Sequence, residues 1–303
     1  MRKTALILGI LLATGVPAAQ AQQSFSFFAS IVDQHSAPVT TLKAADIAVR
    51  EGGSDAKVTK LEPVDWPTKV QILIDNGTGV GGENLQFLRT GVRGLIQALP
   101  ADTEVTLVST APQPRTIVKP TSDRDMLLQG VDRITPDSGG ARFSEGLMEA
   151  LDRVDKDKTK EKAEYFPVIV IVGSTGAEGS TVMDRDFQKL LQRIQKHAAT
   201  VHVVMLTSVG QSQSSNGGEL QTQVGTSAAK QSGGRYEAIA APSRIATLLP
   251  EIGQQIATSA ARQAHEYRVT IERPAGKSGQ VGQIEVGVPA GMQAALSIDG
   301  HLP

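Results

Sequence analysis

The chain has 303 residues, with 30 Lys and Arg against 31 Asp and Glu, and it contains no cysteine. The near-zero net charge and the lack of a long basic stretch argue against a nucleic-acid partner, because binding phosphates requires clustered cations. The absence of cysteine excludes disulfides, thiolate catalysis and cysteine-ligated metals.

The N-terminus has the order of charged and apolar residues that is typical of a secretory signal peptide. Arg2 and Lys3 precede an apolar run from Ala5 to Val16, and small and polar residues then end in Ala19-Gln20-Ala21. This order predicts a signal peptide over residues 1–21 that is cleaved after Ala21. The run is shorter than the roughly 20 residues that a bilayer-spanning helix needs. We therefore predict an exported mature chain, periplasmic or extracellular, without a transmembrane span.

Both ends of the mature chain, residues 22–66 and 264–303, show alternating patterns that are typical of β-strands. In the first region the strand candidates are Phe25–Asp33, Asp46–Glu51 and Lys57–Val64. In the second region they are Tyr267–Ile271, Gln283–Val288 and Ala294–Asp299. Neither region has enough apolar area for a core of its own, since isolated hairpins are marginal in water. We predict that the two ends pair into one small β module.

Residues 67–263 alternate between strand and helix patterns, which predicts an α/β domain. The strand candidates are Val70–Asp75, Glu104–Thr110, Thr116–Pro120, Phe166–Ser174, Thr200–Ser208 and Arg235–Ala240. The helix candidates are Glu83–Leu99, Asp123–Ile134, Ser144–Val154, Asp184–Ala198, Glu219–Ser232 and Ser243–Gln263. Two strands, at 168–172 and 201–206, are almost continuously apolar, as central strands buried on both faces must be. The predicted fold class is a doubly wound, mostly parallel, six-stranded sheet with helices on both faces.

Phrases near both ends of the chain resemble the von Willebrand factor type A (VWA) domain family, in particular its bacterial secreted subgroup. Ile31-Val32-Asp33 and the segment from Pro38 to Gly53 are similar to the lead-in of that subgroup. Tyr267-Arg268-Val269 and Ile284-Glu285-Val286 are similar to its closing strands. The resemblance implies a Rossmann-like fold with a metal-ion-dependent adhesion site on the loops at the carboxyl ends of the strands. There an Asp, two hydroxyl residues, a Thr and a second Asp hold a divalent cation, which also binds an acidic residue of the partner.

Four of the five ligand positions that the resemblance implies are altered in this chain. Asp75 occupies the first position, but Gly77 and Gly79 stand at the two hydroxyl positions. Ala141 stands where the Thr is expected, and Ser174 stands where the second Asp is expected. A hard cation such as Mg²⁺ needs a near-octahedral shell of oxygen ligands, and glycine and alanine side chains supply none. We therefore predict no bound metal and no other cofactor.

The altered loops still form a candidate surface for a protein partner, because functional loops gather at the carboxyl ends of open α/β sheets. The residues predicted to contribute to partner binding are Asp75, Asn76, Thr78, Ser138, Arg142, Ser174 and Thr175. A flexible loop over residues 210–218 is expected on the same face. Asp75 also has a structural interpretation, in which its carboxylate accepts hydrogen bonds from loop amides and from the start of the following helix.

Two alternatives to a metal-free interaction module stay open. In the first, Mg²⁺, Mn²⁺ or Ca²⁺ binds with unusual ligands, and oxygens come from Thr78, Ser138, Ser174 and Thr175. In the second, Gly77, Gly79 and Gly82 form the G-x-G-x-x-G turn of a dinucleotide-binding enzyme. The second lacks the acidic residue expected at the end of the next strand, which runs into Thr110 and Ala111.

No catalytic residues are predicted. Ser174 and Ser180 follow a strand but do not lie in a G-x-S-x-G elbow. The five histidines lack the spacing of a zinc site, and His202 is expected to be a core residue of its strand. The sequence thus predicts a non-enzymatic, exported protein-interaction or adhesion module.

Overall fold

The structure is a computed structural model that describes residues 23–176, 179–181, 184–207, 217–277, 279, 281–298 and 300. The predicted signal peptide therefore lies outside the described residues. The predicted loop at 210–218 also lies outside them, apart from its last two residues, which begin a helix. Within these ranges, no helix combines the length and apolarity needed to cross a bilayer.

Twelve strands and six α-helices are described in this part of the chain. The strands are β1 (Ser24–Val32), β2 (Ala48–Glu51), β3 (Ser54–Pro63), β4 (Thr68–Ile74), β5 (Glu104–Ser109), β6 (Arg115–Thr121), β7 (Phe166–Ser174), β8 (Thr200–Leu206), β9 (Tyr236–Ile239), β10 (Glu266–Glu272), β11 (Ile284–Gly287) and β12 (Gln293–Ser297). The helices are α1 (Leu85–Ala98), α2 (Arg124–Asp132), α3 (Phe143–Asp155), α4 (Asp184–Lys196), α5 (Gly217–Gln231) and α6 (Ile245–Gln263).

Several element ends differ from the predicted ones for local reasons. Asp46 was predicted to start a strand but ends a short 3₁₀ turn, where its Oδ2 accepts a hydrogen bond from the Lys43 amide at 2.7 Å. β3 starts at Ser54 rather than Lys57, because Gly52 and Gly53 adopt positive φ and turn the chain within two residues. The helices predicted from Glu83 and Ser243 likewise begin with 3₁₀ turns, and the α-helices start two residues later.

The central sheet has the strand order β6-β5-β4-β7-β8-β9. Neighbouring strands are parallel except for β6, which runs antiparallel to β5 at one edge. Apolar side chains of α1, α2 and α6 pack on one face of the sheet, and those of α3, α4 and α5 pack on the other. The predicted doubly wound, mostly parallel six-stranded sheet is confirmed. The carboxyl ends of the parallel strands lie at one end of the domain, and their amino ends lie at the opposite end.

The terminal strands form a second, antiparallel sheet in the order β11-β2-β3-β10-β1-β12. The predicted pairing of the two chain ends is confirmed, because β10 lies between β3 and β1 and bonds to both. Phe27, Ile31 and Tyr267 lie in the core of this sheet, and the Tyr267 hydroxyl accepts a hydrogen bond from the Leu42 amide at 3.0 Å. We refer to this sheet as the β module.

A buried ion pair joins distant parts of the β module. Arg273 Nη2 lies 2.6 Å from Glu51 Oε1, and Arg273 Nε lies 3.0 Å from Glu51 Oε2. The Gly282 amide donates to the same carboxylate at 3.0 Å. The Arg273 guanidinium, together with this amide, holds the pKa of Glu51 below its ordinary value although burial opposes the shift.

An aromatic cluster joins the β module to the α/β domain. Phe28 of β1 and Phe166 of β7 both contact Trp66, each with ring centroids 5.4 Å apart, and Val64 completes the cluster. Phe166 is 2% exposed. The start of β7 is therefore covered by Phe28 of the β module and by Val64 and Trp66, which lie between β3 and β4.

Candidate functional site

The centre of the candidate site is a hydrogen bond between the ends of two adjacent central strands. Asp75 follows β4 and Ser174 ends β7, and these strands lie where the chain order along the sheet reverses. In open α/β sheets, ligands usually bind in the crevice at this reversal. Here Ser174 Oγ donates to Asp75 Oδ2 at 2.6 Å, and the Gly77 amide donates to Asp75 Oδ1 at 2.8 Å. Asp75 and Ser174 are 1% and 2% exposed, so the crevice is closed at this point.

Burial dominates the electrostatics of Asp75. It raises the pKa of the carboxyl above its ordinary value, while the Ser174 hydroxyl and the Gly77 amide lower it by less. Both of these groups are neutral donors. The surroundings of Asp75 therefore stabilise its negative charge less than water does.

Glycines allow the loop after β4 to pack against its neighbours at backbone distance. A Cβ atom on Gly79 would lie 2.0 Å from Ser174 Oγ, and one on Gly176 would lie 2.5 Å from the Gly79 Cα. A Cβ atom on Gly77 would lie 2.5 Å from the Gly139 carbonyl oxygen. A hydroxyl side chain at either altered position thus has no room in this arrangement of the loops.

Asn76 connects the first loop to the two loops beside it. Its Nδ2 donates to the Thr135 carbonyl at 2.8 Å, and its own carbonyl accepts from the Asp137 amide at 2.8 Å. Its Oδ1 accepts from the Ala111 amide at 3.3 Å. With 4% exposure, Asn76 holds the loops together from within.

Arg142 and Glu145 form a second connection, between the loop before α3 and the loop after β7. Arg142 Nε donates to the Pro112 carbonyl at 2.9 Å, and its Nη1 donates to Glu145 Oε2 at 2.7 Å. Glu145 Oε1 accepts from the Thr181 amide at 3.2 Å. Burial raises the pKa of Glu145, but Arg142 and Thr181 outweigh it and leave the pKa below its ordinary value. Sequence reasoning missed Glu145 and Thr181, although the i, i+3 spacing of Arg142 and Glu145 signals an ion pair.

The predicted site residues come together on one face but fall into two groups by exposure. Asp75, Asn76 and Ser174 are buried, as is Ala141 at an altered ligand position. The other four reach the surface: Thr78 and Ser138 are exposed, and Arg142 and Thr175 are partly exposed. The interpretation of Asp75 as an acceptor of loop amides is confirmed by its bond to Gly77. Its expected bond to the start of the next helix is wrong, because that 3₁₀ turn begins only at Gly82, with Gly81 as its N-cap.

The residues present do not fit the divalent cation that the adhesion site of the family implies. Both oxygens of Asp75 accept hydrogen bonds, and Ser174 supplies a donor where a second carboxylate is expected. The described ranges contain no group of three or more His, Asp or Glu residues placed to hold a metal. An octahedral oxygen shell needs about six oxygen ligands, and Gly77, Gly79 and Ala141 supply no side-chain oxygen at three of the positions that the family uses.

The dinucleotide alternative also lacks its structural context. The fingerprint requires a helix that opens directly at the glycines, with its amides facing a pyrophosphate. Here α1 begins at Leu85, after a 3₁₀ turn, and Gly79 faces Ser174.

His202 is a core residue as predicted, since it is 2% exposed and its Nδ1 accepts a hydrogen bond from the Arg235 amide at 3.2 Å.

Comparison with known proteins identifies the family of this chain. The sequence profile of the von Willebrand factor type A domain matches residues 70–240, more than half of the chain. The chain therefore belongs to the von Willebrand factor type A domain family, whose members are generally protein-interaction or adhesion modules.

Solved structures with a similar fold include several proteins of low sequence identity. BatB from Bacteroides thetaiotaomicron is 13% identical, with a TM-score of 0.47, and the match covers 63% of this chain and 99% of BatB. The SpRpn10 VWA domain is 16% identical with a TM-score of 0.47, and the match covers 62% and 97% of the two chains. A von Willebrand factor type A protein from Catenulispora acidiphila is 11% identical with a TM-score of 0.48, and covers 91% of this chain and 73% of its own. Among curated proteins, no sequence matches significantly.

Proposed function

We propose that this chain is an exported, non-enzymatic protein-interaction or adhesion module that binds a protein partner through its carboxyl-end loops without a bound cation. The observation that carries the proposal is the 2.6 Å hydrogen bond from Ser174 Oγ to Asp75 Oδ2. This bond uses the one retained ligand of the family site and closes the crevice in which a cation would bind.

The exposed residues of the closed loops supply the proposed contact surface. Thr78 and Ser138 present hydroxyl groups, and Arg142 presents a guanidinium that two hydrogen bonds already hold in place. Thr175 is partly exposed beside them. A preorganised surface of this kind binds with little loss of side-chain freedom. Asp75, Asn76 and Ser174 contribute indirectly in this proposal, because they fix the loops from below.

The burial of Ser174 supports the proposal that this chain is not an enzyme. Ser174 is the hydroxyl nearest to a carboxylate in this site, and it donates a hydrogen bond to Asp75, but it is only 2% exposed. A nucleophile must be open to its substrate, which this burial prevents.

The proposed contact surface, which we call the loop face, consists of Thr78, Ser138, Arg142 and Thr175. It is tested with one charged substitution and a matched control. Ser138→Arg places a long cation in the middle of the proposed surface, whereas Ser122→Arg makes the same change on an exposed turn between β6 and α2. We expect the wild-type chain and Ser122→Arg to capture the same protein partners from the exporting cell. Ser138→Arg should fail to capture them. Equal capture by both variants would show that the partner binds elsewhere.

The metal-free state is tested by thermal unfolding with EDTA and with millimolar Mg²⁺, Mn²⁺ or Ca²⁺. A cation present at 100 times its Kd stabilises the native state by about 2.7 kcal/mol, which raises the melting temperature. We expect no shift with any of the three ions. A rise that disappears in Asp75→Asn would instead support a cation-dependent adhesion site with atypical ligands.

Export is tested by sequencing the N-terminus of the protein recovered outside the cytoplasm. Arg2, Lys3 and the apolar run that follows support a mature chain that starts at Gln22. A cytoplasmic chain that retains residues 1–21 would contradict this part of the proposal.

A further inference from the structure

A second candidate site lies at the opposite end of the central sheet from the loop face. A cavity of about 850 Å³ lies between α6 and the amino ends of β4, β7 and β8. Cavities that bind small molecules are typically about 300 to 1,000 Å³. The cavity shares no residue with the carboxyl-end loops, so it is independent of the surface proposed for the partner.

The wall formed by α6 changes from apolar to polar where it reaches the cavity. Ile252 and Ile256 face the sheet in the buried stripe of the helix. Continued at the same helical spacing, this stripe reaches Ser259 and Gln263, which line the cavity. A stripe that only served to cover the sheet would continue with apolar residues.

The wall formed by β8 changes in the same way. Val204 and Leu206 point into the core layer beneath α6, and on the same face of the strand Thr200 and His202 line the cavity. His202 is held in one orientation, since its Nδ1 accepts a hydrogen bond from the Arg235 amide. The polar positions of the helix and of the strand therefore face each other across one space.

The polar lining consists mainly of groups that both donate and accept hydrogen bonds. Hydroxyl and carboxamide side chains have this property, and it matches the adjacent hydroxyl groups of a polyol. The residues concerned include Thr68, Thr200, Ser259, Gln254 and Gln255. Gln263 also lines the cavity, but it is buried and its Nε2 donates to the Gly300 carbonyl at 3.2 Å. Val168 and Ile256 supply apolar surface for the carbon skeleton of such a ligand.

The charges around the cavity favour a ligand with one carboxylate. Arg262 is the cation among the residues that line the cavity, and it is exposed. Glu251 also lines the cavity, but its Oε1 lies 2.9 Å from Arg244 Nη1, so its charge is already paired. Glu266 is 2% exposed and presents almost no surface. A guanidinium binds a carboxylate through two parallel hydrogen bonds, which gives both affinity and orientation.

We propose that this cavity binds a small polyol that carries a carboxylate, which is the chemistry of a sugar acid. Arg262 binds the carboxylate at the mouth of the cavity. The hydroxyl and carboxamide groups of the strand ends and of α6 bind the ligand's hydroxyl groups.

The test is isothermal titration of the wild-type chain with glucuronate, glucose and acetate, repeated with two arginine variants. Arg262→Ala removes the proposed carboxylate contact from an exposed helix position, and Arg133→Ala is the control at the exposed C-cap of α2, away from the cavity. We expect saturable binding of glucuronate that weakens about tenfold in Arg262→Ala and is unchanged in Arg133→Ala. Glucose should bind the wild-type chain about tenfold more weakly than glucuronate, because it has no carboxylate for Arg262 to bind.

Three results would overturn the proposal. The first is no saturable binding of glucuronate by the wild-type chain. The second is equal affinity for glucuronate in Arg262→Ala and wild type, which would place the carboxylate elsewhere. The third is acetate binding as tightly as glucuronate, which would show that the hydroxyl and carboxamide lining does not recognise the polyol.

Discussion

The loop face of the central sheet and the β module each bury one carboxylate to 1% exposure, Asp75 in the first and Glu51 in the second. Asp75 accepts hydrogen bonds from a hydroxyl and an amide, and burial raises its pKa. Glu51 faces the guanidinium of Arg273, and its pKa is lowered. The two neutral donors at Asp75 do not offset the loss of water around its charge, whereas the guanidinium of Arg273 does so at Glu51. The two regions therefore respond to pH in opposite directions.

The two regions also differ in how the chain builds them. The central sheet and its helices come from one continuous stretch of chain, residues 68–263. The β module instead depends on contacts between the two ends of the described chain, and Glu51 and Arg273 are 222 residues apart in sequence. Such contacts form only after a long loop has closed. The module should therefore be the first part lost when the chain is altered.

Removing all residues after Arg262 is the change with the largest expected effect. It deletes β10, which lies between β3 and β1, and leaves both N-terminal strands without their shared neighbour. We expect rapid proteolysis within residues 24–63 while the α/β domain stays resistant, as measured by limited digestion and mass spectrometry. A chain ended at Gly291 is the control, because it loses only the edge strand β12. Protected N-terminal strands in the shorter chain would show that the pairing is not required.

Phe166→Ala should have the next largest effect, because it removes the ring that joins the two regions. Phe166 is 2% exposed and contacts both Phe28 and Trp66. Truncation of a buried phenylalanine lowers the free energy of unfolding by roughly 3–5 kcal/mol. Urea denaturation measures the change, and Phe87→Ala is the control, since that side chain is 39% exposed. A loss for Phe166→Ala no greater than that of the control would mean that the two regions are stabilised independently of this cluster.

Glu51→Gln should lower stability at neutral pH and change its response to acid. Because the folded-state pKa of Glu51 is lowered, its contribution is present above its ordinary pKa and is lost as the pH falls through the folded-state value. The melting temperatures of variant and wild type should therefore converge on acidification, since the variant lacks this titration. Glu272→Gln changes a more exposed carboxylate, 3.5 Å from Lys57, and should have little effect. Parallel curves for Glu51→Gln and wild type would contradict the role of the ion pair.

Asp75→Asn should have the smallest effect at neutral pH, and in the opposite direction. The folded-state pKa of Asp75 is raised, so its favourable contribution is present below its ordinary pKa and is lost as the pH rises through the folded-state value. An amide can accept from Gly77 and donate to Ser174 without becoming charged. We expect a melting temperature at pH 7 that equals or exceeds that of the wild type, with a gap that narrows towards acid. A clear drop at pH 7 would show that the charged carboxylate is needed there.

Most of the fold could be predicted from the sequence, because it depends on local patterns. The apolar runs at 168–172 and 201–206 indicate central parallel strands, and their burial in β7 and β8 confirms this. The spacing of Phe187, Leu190 and Ile194 predicts the buried face of α4. Helix and strand ends do not follow from local patterns alone, since 3₁₀ turns such as Gly82–Asn84 depend on how the preceding loop packs.

The candidate site was predictable only in its composition. Gly77, Gly79 and Ala141 can be identified along the chain as positions without ligand oxygens. Their packing against Ser174 and Gly139 could not, because it depends on how closely the separate loops approach. Thr78 and Ser138 are exposed, whereas other residues predicted to bind the partner are buried. This difference was not predictable, because sequence patterns do not indicate which residues of a loop are exposed.

By itself the sequence determined the alternation of strands and helices and the two flanking strand regions, since both follow from residue type and local spacing. It also shows glycine, alanine and serine at the positions where the family resemblance implies ligand side chains. Only the tertiary structure decided that Ser174 bonds to Asp75 across 99 residues, that Arg273 pairs with Glu51, and that α6 and β8 place their polar positions around one cavity. These contacts depend on the register and separation of elements that are distant in the chain, which no local pattern encodes.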